Sequence, residues 1–263
     1  MIPHQQNNTH THAGRHRILM GDIRQALDSR LERAKILSFG CSSGLECLDL
    51  KDVMPEASIF GCEIHAGARQ KALENCAGRA RILDSRARLL HKFGPFDAIL
   101  AMNVLCLYPR TAGLENVSAL YSFERFDAAV AQLDEVLAPG GLLTIYNGQY
   151  FLEDSSVAGQ YEPLEGLTRP LSGWIEKSLP SGERATDVFH EFEGKTYSRT
   201  EWADHIAKPE VKDYLLKNVD ASTYHHVWRK PELSGSRSTT CPIWRKIEIP
   251  QSAPETPTLS PPS

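Results

Sequence analysis

The chain has 263 residues, 41% of them hydrophobic, and a net charge of −4 with acids and bases interspersed. That length allows one α/β domain with a large core and an inserted cap. The sequence shows no basic face for nucleic acid, no apolar run near the roughly twenty residues that span a bilayer and no apolar signal core. A cytoplasmic protein without nucleic-acid or membrane partners is therefore expected. The six cysteines have neither disulfide nor zinc spacing and read as small, buried, reduced side chains.

Residues 1–17 are rich in His, Asn, Gln and Thr, have little to bury, and are expected to be a disordered tail. Their His4, His10, His12 and His16 are not expected to form a specific metal site. Met20 to Ala34 reads as an amphipathic helix, with Ile23, Leu27, Leu31 and Ala34 on one face. The next run, Ile36-Leu37-Ser38-Phe39, is a buried strand that breaks into Gly40-Cys41-Ser42-Ser43-Gly44 and opens a helix. Such a glycine turn lets the backbone approach a ligand closely, and cofactors dock there, beyond the carboxyl ends of the strands.

Residues 57–63 form a second strand ending in Glu63, about twenty residues past the turn, where a carboxylate can accept hydrogen bonds from ribose hydroxyls. Residues 80–83 form a third, ending at Asp84, and residues 96–102 a fourth, ending at Asn103. A helix over 123–137 runs through Pro139-Gly140-Gly141 into a fifth strand, 142–146. Polar residues thus fall in order at strand ends, where one crevice can collect them.

These residues make the chain resemble the class I S-adenosylmethionine-dependent methyltransferases, over roughly residues 18–147. The family's acid-x-Gly-x-Gly-x-Gly turn falls on Ser38-x-Gly40-x-Ser42-x-Gly44, with serine replacing the acid and the middle glycine. Gly-Cys-Ser-Ser-Gly followed by Glu46 looks like the variant turn of the chemotaxis-receptor methyltransferases. The family's ribose-binding acid falls on Glu63 and its adenine-contacting acid on Asp84. Its strand-four signature falls on 96–105, and its helix–Pro-Gly-Gly–strand signature on 133–145. The resemblance implies a Rossmann-like, seven-stranded, mostly parallel sheet with helices on both faces and the last strand antiparallel. It also implies S-adenosyl-L-methionine as cofactor, held by Ser38, Gly40, Cys41, Ser42, Gly44, Glu63, Asp84 and Asn103. A nicotinamide-binding domain fits less well, because the second glycine that admits a pyrophosphate is missing.

Residues 148–197 are aromatic and unperiodic, and are expected to form a cap that chooses the substrate. Ser198-Arg-Thr-Glu201 is a capping box that opens a helix to about Lys217, burying Trp202 and Ile206. Runs 223–229 and 242–249 are strands, the second antiparallel, closing a domain over 18–249. Residues 250–263, with five prolines, form a second disordered tail.

The expected activity is methylation of a small-molecule acceptor. The alternatives are a protein side-chain methyltransferase and a non-catalytic cofactor-binding module. Asn103, which the resemblance places beside the transferring methyl group, and Tyr150 are the catalytic candidates. Tyr108, Asn147 and His190 are weighed behind them, His190 as a base.

Overall fold

In the computed structural model the described residues are 5, 6, 9, 11–168, 173, 175–192, 195–211, 225–229 and 242–248. Strands β1 (Lys35–Phe39), β2 (Ser58–Glu63), β3 (Arg81–Asp84), β4 (Phe96–Met102), β5 (Leu137–Tyr146), β6 (Tyr161–Pro163) and β10 (Ile243–Lys246) build one seven-stranded sheet in the order β3-β2-β1-β4-β5-β10-β6. All pairs are parallel except those of β10, which runs antiparallel to β5 and to β6. The central strands β1 and β4 are apolar runs because both faces are covered by helices.

One face is covered by α1 (Arg17–Leu27), α2 (Leu45–Val53) and α3 (Ala66–Asn75), where Met20, Ile23, Leu27, Leu50 and Ala72 pack with Ile36, Ile59 and Leu100. The other is covered by α4 (Ala87–Phe93) and α5 (Phe123–Glu135), whose Leu90, Phe126, Val130 and Leu133 pack with Leu37, Phe60, Ile99 and Leu143. The chain leaves β1 toward β2 and β3 and returns to β4 on the other side of β1. That change of direction opens a crevice at the carboxyl ends of β1 and β4.

Several elements differ from the sequence reading. The first helix starts earlier, at Arg17, and ends at Leu27, because Asp28 takes φ 36° and starts a 3₁₀ turn over Asp28–Arg33. Leu31 and Ala34 are still buried. Strand β5 begins at Leu137, upstream of Pro139-Gly140-Gly141, and the pairing with β4 shifts register between Phe96 and Ala98. A bulge of this kind accommodates a proline inside a sheet.

The stretch 148–197 contains two 3₁₀ turns and supplies β6 to the main sheet. Its β7 (Asp187–Phe192) and β8 (Lys195–Ser198) form a hairpin, and β9 (His225–Arg229) pairs with β7 in a separate three-stranded sheet. The run 223–229 therefore adds no strand to the main sheet; the short β6 takes the edge position. Strands β6 and β10 are tied to α5 by Asp134, which accepts a hydrogen bond from the Tyr161 hydroxyl (2.7 Å) and pairs with Lys246 Nζ (2.9 Å). The capping box at Ser198 and Glu201 forms, but α6 (Arg199–Ile206) stops at Ile206; Trp202 is buried and Ile206 only partly so. Lys217, Trp174, Cys241 and residues 250–263 lie outside the described residues.

The amino-terminal residues pack in a way their composition does not suggest. Gln5 is 3% exposed, donates to the Arg125 carbonyl and accepts from the Tyr121 hydroxyl. Gln6 donates to the Tyr108 carbonyl, and the Thr9 carbonyl accepts from the Ser42 hydroxyl. Polar side chains of low hydropathy are held here by hydrogen bonds to groups distant in sequence.

Candidate functional site

The β1–α2 turn is strained and tightly packed. Gly40 (φ 76°), Ser42 (φ 50°) and Gly44 (φ 84°) all adopt left-handed backbone, which is cheap for glycine and costly for serine. A β-carbon on Gly40 would lie 2.6 Å from Val104 Cγ2, and one on Gly44 would lie 2.5 Å from Cys76 Sγ. The turn thus seats against the end of β4 on one side and against α3 on the other.

Four of its five amides are spent internally. The N–H groups of Gly40 and Cys41 both donate to the Cys62 carbonyl (2.9 and 3.0 Å), that of Ser42 to Glu63 Oε2 (2.9 Å), and that of Gly44 to the Cys41 carbonyl (2.9 Å). A phosphate-binding loop leaves such donors pointing at the ligand; this one does not. Cys41, Cys47, Cys62, Cys76 and Cys106 are buried and unbridged. Burial raises the Cys62 thiol to about 12 and the Cys106 thiol to about 11. Inert packing groups are the result.

Glu63 is buried at the end of β2, with its second oxygen accepting the His65 N–H (2.7 Å). Each oxygen keeps a further lone pair for a ligand hydroxyl. Asp84, at the end of the neighbouring β3, is one-quarter exposed and paired with Arg86 (3.2 Å) and Arg69 (3.5 Å). Ser38 is fully buried and donates to Oε1 of Glu46 (2.7 Å), on the first turn of α2. Burial pushes the Glu46 carboxyl up to about 7, against the lowering effects of the Ser38 hydrogen bond and the charge of Arg15.

Across the crevice, Asn103 and Asn147 close β4 and β5, each at φ 57°. Asparagine tolerates this conformation better than most residues. The Asn147 amide donates to Asn103 Oδ1, and Asn103 Nδ2 reaches His16 Nε2 at 3.2 Å. Desolvation, followed by the positive charge of Arg15 and then His12, holds the His16 imidazole down to about 3. It is neutral, with Nε2 free of a proton to accept this bond, and its ring meets Tyr146 edge-on at 4.9 Å. His16 thus belongs to the crevice, joined to the β4 and β5 ends.

The structure brings Gly40 through Gly44, Glu63 and Asn103 to one end of the sheet, with Ser38 beneath the turn and Asp84 on the adjacent strand. Tyr150 is elsewhere. It is fully buried against Tyr121, Phe123 and Phe126, and its hydroxyl donates to the Tyr121 carbonyl (2.5 Å). It is a core side chain here and has no part in the proposed chemistry. His190 lies in β7, and its side chain is outside the described residues. Among the described residues no group of three or more His, Cys, Asp or Glu could hold a metal ion, and no helix is long and apolar enough to cross a membrane.

The strand order and the single antiparallel β10 are those of the class I methyltransferase fold. Neither a family model nor a curated protein matches the chain. Among solved structures it is similar to TrmN from Thermus thermophilus (TM-score 0.39, 16% identity, covering 60% of this chain and 45% of that one). It is also similar to PKMT2 from Rickettsia typhi (TM-score 0.38, 16% identity, 51% and 26%). A third is the plantazolicin methyltransferase BamL, in complex with a triazolic desmethylPZN analog and SAH (TM-score 0.36, 18% identity, 50% and 46%). The chain spans half or less of the length of each of these structures.

Proposed function

We propose that the protein is an S-adenosylmethionine-dependent methyltransferase acting on a small-molecule acceptor. The observation that carries this reading is the meeting of the glycine turn, Glu63 and Asn103 in the crevice of this sheet. The internally satisfied turn favours a cofactor without a pyrophosphate over a nicotinamide dinucleotide. The Glu46 carboxyl, which desolvation keeps protonated up to about 7, suits a ligand whose ammonium group would draw out its charge. Once bound, the cofactor supplies a methyl group already activated by its sulfonium.

The chain's own residues then have to position and desolvate. Glu63 would accept from the ribose hydroxyls and Asp84 would border the adenine, while Ser38 holds Glu46 in place and Gly40, Cys41, Ser42 and Gly44 shape the turn beneath the ligand. Asn103, locked by Asn147 and His16, offers a fixed amide beside the transferring carbon, where alignment of nucleophile and methyl group supplies much of the rate.

The direct test is titration with S-adenosylhomocysteine, and with NAD as the competitor. Glu63→Ala is expected to weaken S-adenosylhomocysteine binding by about 1.5–3 kcal/mol, the range for hydrogen bonds to a charged group. A folded variant with unchanged affinity removes Glu63 from the site. Heat evolved with NAD and not with S-adenosylhomocysteine rejects the methyltransferase reading.

Glu46 gives the reading a pH signature. Its carboxyl, normally near 4.5, is raised to about 7 in the fold, so the folded state holds a proton that the unfolded chain releases between those values. The stabilising contribution is complete below about 4.5 and is lost as pH rises through 7. An incoming ammonium favours the ionised form and draws that proton off. Affinity for S-adenosylhomocysteine should therefore climb about 10- to 30-fold from pH 5.5 to 7.5, and the climb should vanish in Glu46→Gln. His16, held near 3, does not titrate in that window. The same climb in both proteins would place the ammonium elsewhere.

A further inference from the structure

The stretch before α1 is pinned on both sides of the crevice. The Gly14 N–H donates to Asp49 Oδ2 on α2 (2.6 Å), and Arg17 pairs with Asp49 and Asp52 on the same helix (3.1 and 3.0 Å). On the other side, His16 Nε2 meets Asn103 at the end of β4 (3.2 Å), and further back the Thr9 carbonyl takes the Ser42 hydroxyl. Arg15 lies between Gly14, which is tied to α2, and His16, which is tied to the β4 end.

Arg15 is a cation there without a counterion. Its Nε is buried, and among the described residues it has no hydrogen bond or ion pair. Its charge nevertheless bears on both Glu46 and His16. A buried guanidinium nitrogen without an acceptor is costly, and a carboxylate satisfies its fork of donors in a bidentate geometry. Once Glu46 ionises, it and Arg15 form a negative and a positive group on neighbouring parts of the chain. An α-amino acid zwitterion carries the complementary pair.

We propose that Arg15 binds the α-carboxylate of the methionine part of the cofactor, making the amino-terminal strap a wall of the cofactor site. This rests on the methyltransferase reading and adds a residue to it. The strap then explains why residues of such polar composition are ordered by contacts to Ser42, Asp49 and Asn103: they carry the cation to its place.

The test compares two ligands that share the nucleoside and differ in the amino-acid part. Full-length wild type and Arg15→Met are titrated with S-adenosylhomocysteine and with 5′-methylthioadenosine, which lacks the carboxylate and amine. Arg15→Met should lose about 10- to 100-fold in affinity for S-adenosylhomocysteine, the range for a charge-assisted hydrogen bond. Its affinity for 5′-methylthioadenosine should stay within about twofold of wild type, which also shows that the nucleoside pocket is folded. Arg15→Gln, shorter and neutral, should behave likewise. Equal losses for both ligands would assign Arg15 a structural role, and no loss for either would take it out of the site; each overturns the proposal. Wild type that binds neither ligand overturns the cofactor reading itself, and the role of Arg15 with it.

Discussion

Gly40→Val should abolish binding of S-adenosylhomocysteine and lower the thermal midpoint of the protein. The backbone at this position sits at φ 76°, which a β-branched residue adopts only under strain. Left-handed geometry alone costs about 1–2 kcal/mol for an ordinary L-residue. The new β-carbon would in addition lie 2.6 Å from Val104 Cγ2, the end of a short, stiff side chain packed at the core's edge. The turn must move, and it carries the Ser42 amide away from Glu63. Titration calorimetry and thermal unfolding on the same preparation read both effects. Pairing Gly40→Ala with Val104→Ala separates them: removing the clash should recover part of the stability while binding stays weak. A folded Gly40→Val protein with normal affinity would put the ligand somewhere other than over this turn.

Tyr150→Ala should cost about 3–5 kcal/mol of stability, the range for deleting a large buried aromatic. For a chain of this size that is a drop of about 6–20 °C in Tm. The ring fills the space between Tyr121, Phe123 and Phe126, and the hydroxyl satisfies a buried carbonyl. Tyr150→Phe keeps the ring and should lose about 1–3 kcal/mol, mostly from leaving the Tyr121 carbonyl unpaired. Neither variant, where folded, should change affinity for S-adenosylhomocysteine. If Tyr150→Ala keeps its Tm and loses methyl transfer, the residue is part of an acceptor site after all.

These two residues show how far local pattern reaches. Strands β1 to β5 are legible because each centres on a short apolar run bounded by glycine, proline or a polar residue, and helix α5 because Phe126, Ala129, Val130 and Leu133 recur at helical spacing. Central parallel strands carry that pattern with no help from their neighbours. The positions of Gly40, Glu63 and Asn103 follow at once, since each lies at the end of such a run. Tyr150 lies four residues past β5 and Asn147 one, and nothing local distinguishes the one that turns into the core from the one that closes the crevice. Only the packing of α5 against the sheet decides it.

The same division holds for the rest of the molecule. The order of the parallel strands' ends, the glycine turn and the serine at position 38 are legible from the chain alone, because these are properties of contiguous residues. The tertiary structure alone decided that β6 takes the sheet edge, that β9 leaves for a second sheet, and that Glu46 reaches back beneath Ser38. It alone decided that Gln5, Thr9, Arg15 and His16 belong to the folded body. Their partners, Tyr121, Ser42 and Asn103 among them, are brought close only when the sheet has formed. Hydrogen bonds over such separations leave no periodicity in the chain, whereas burial of an apolar strand does.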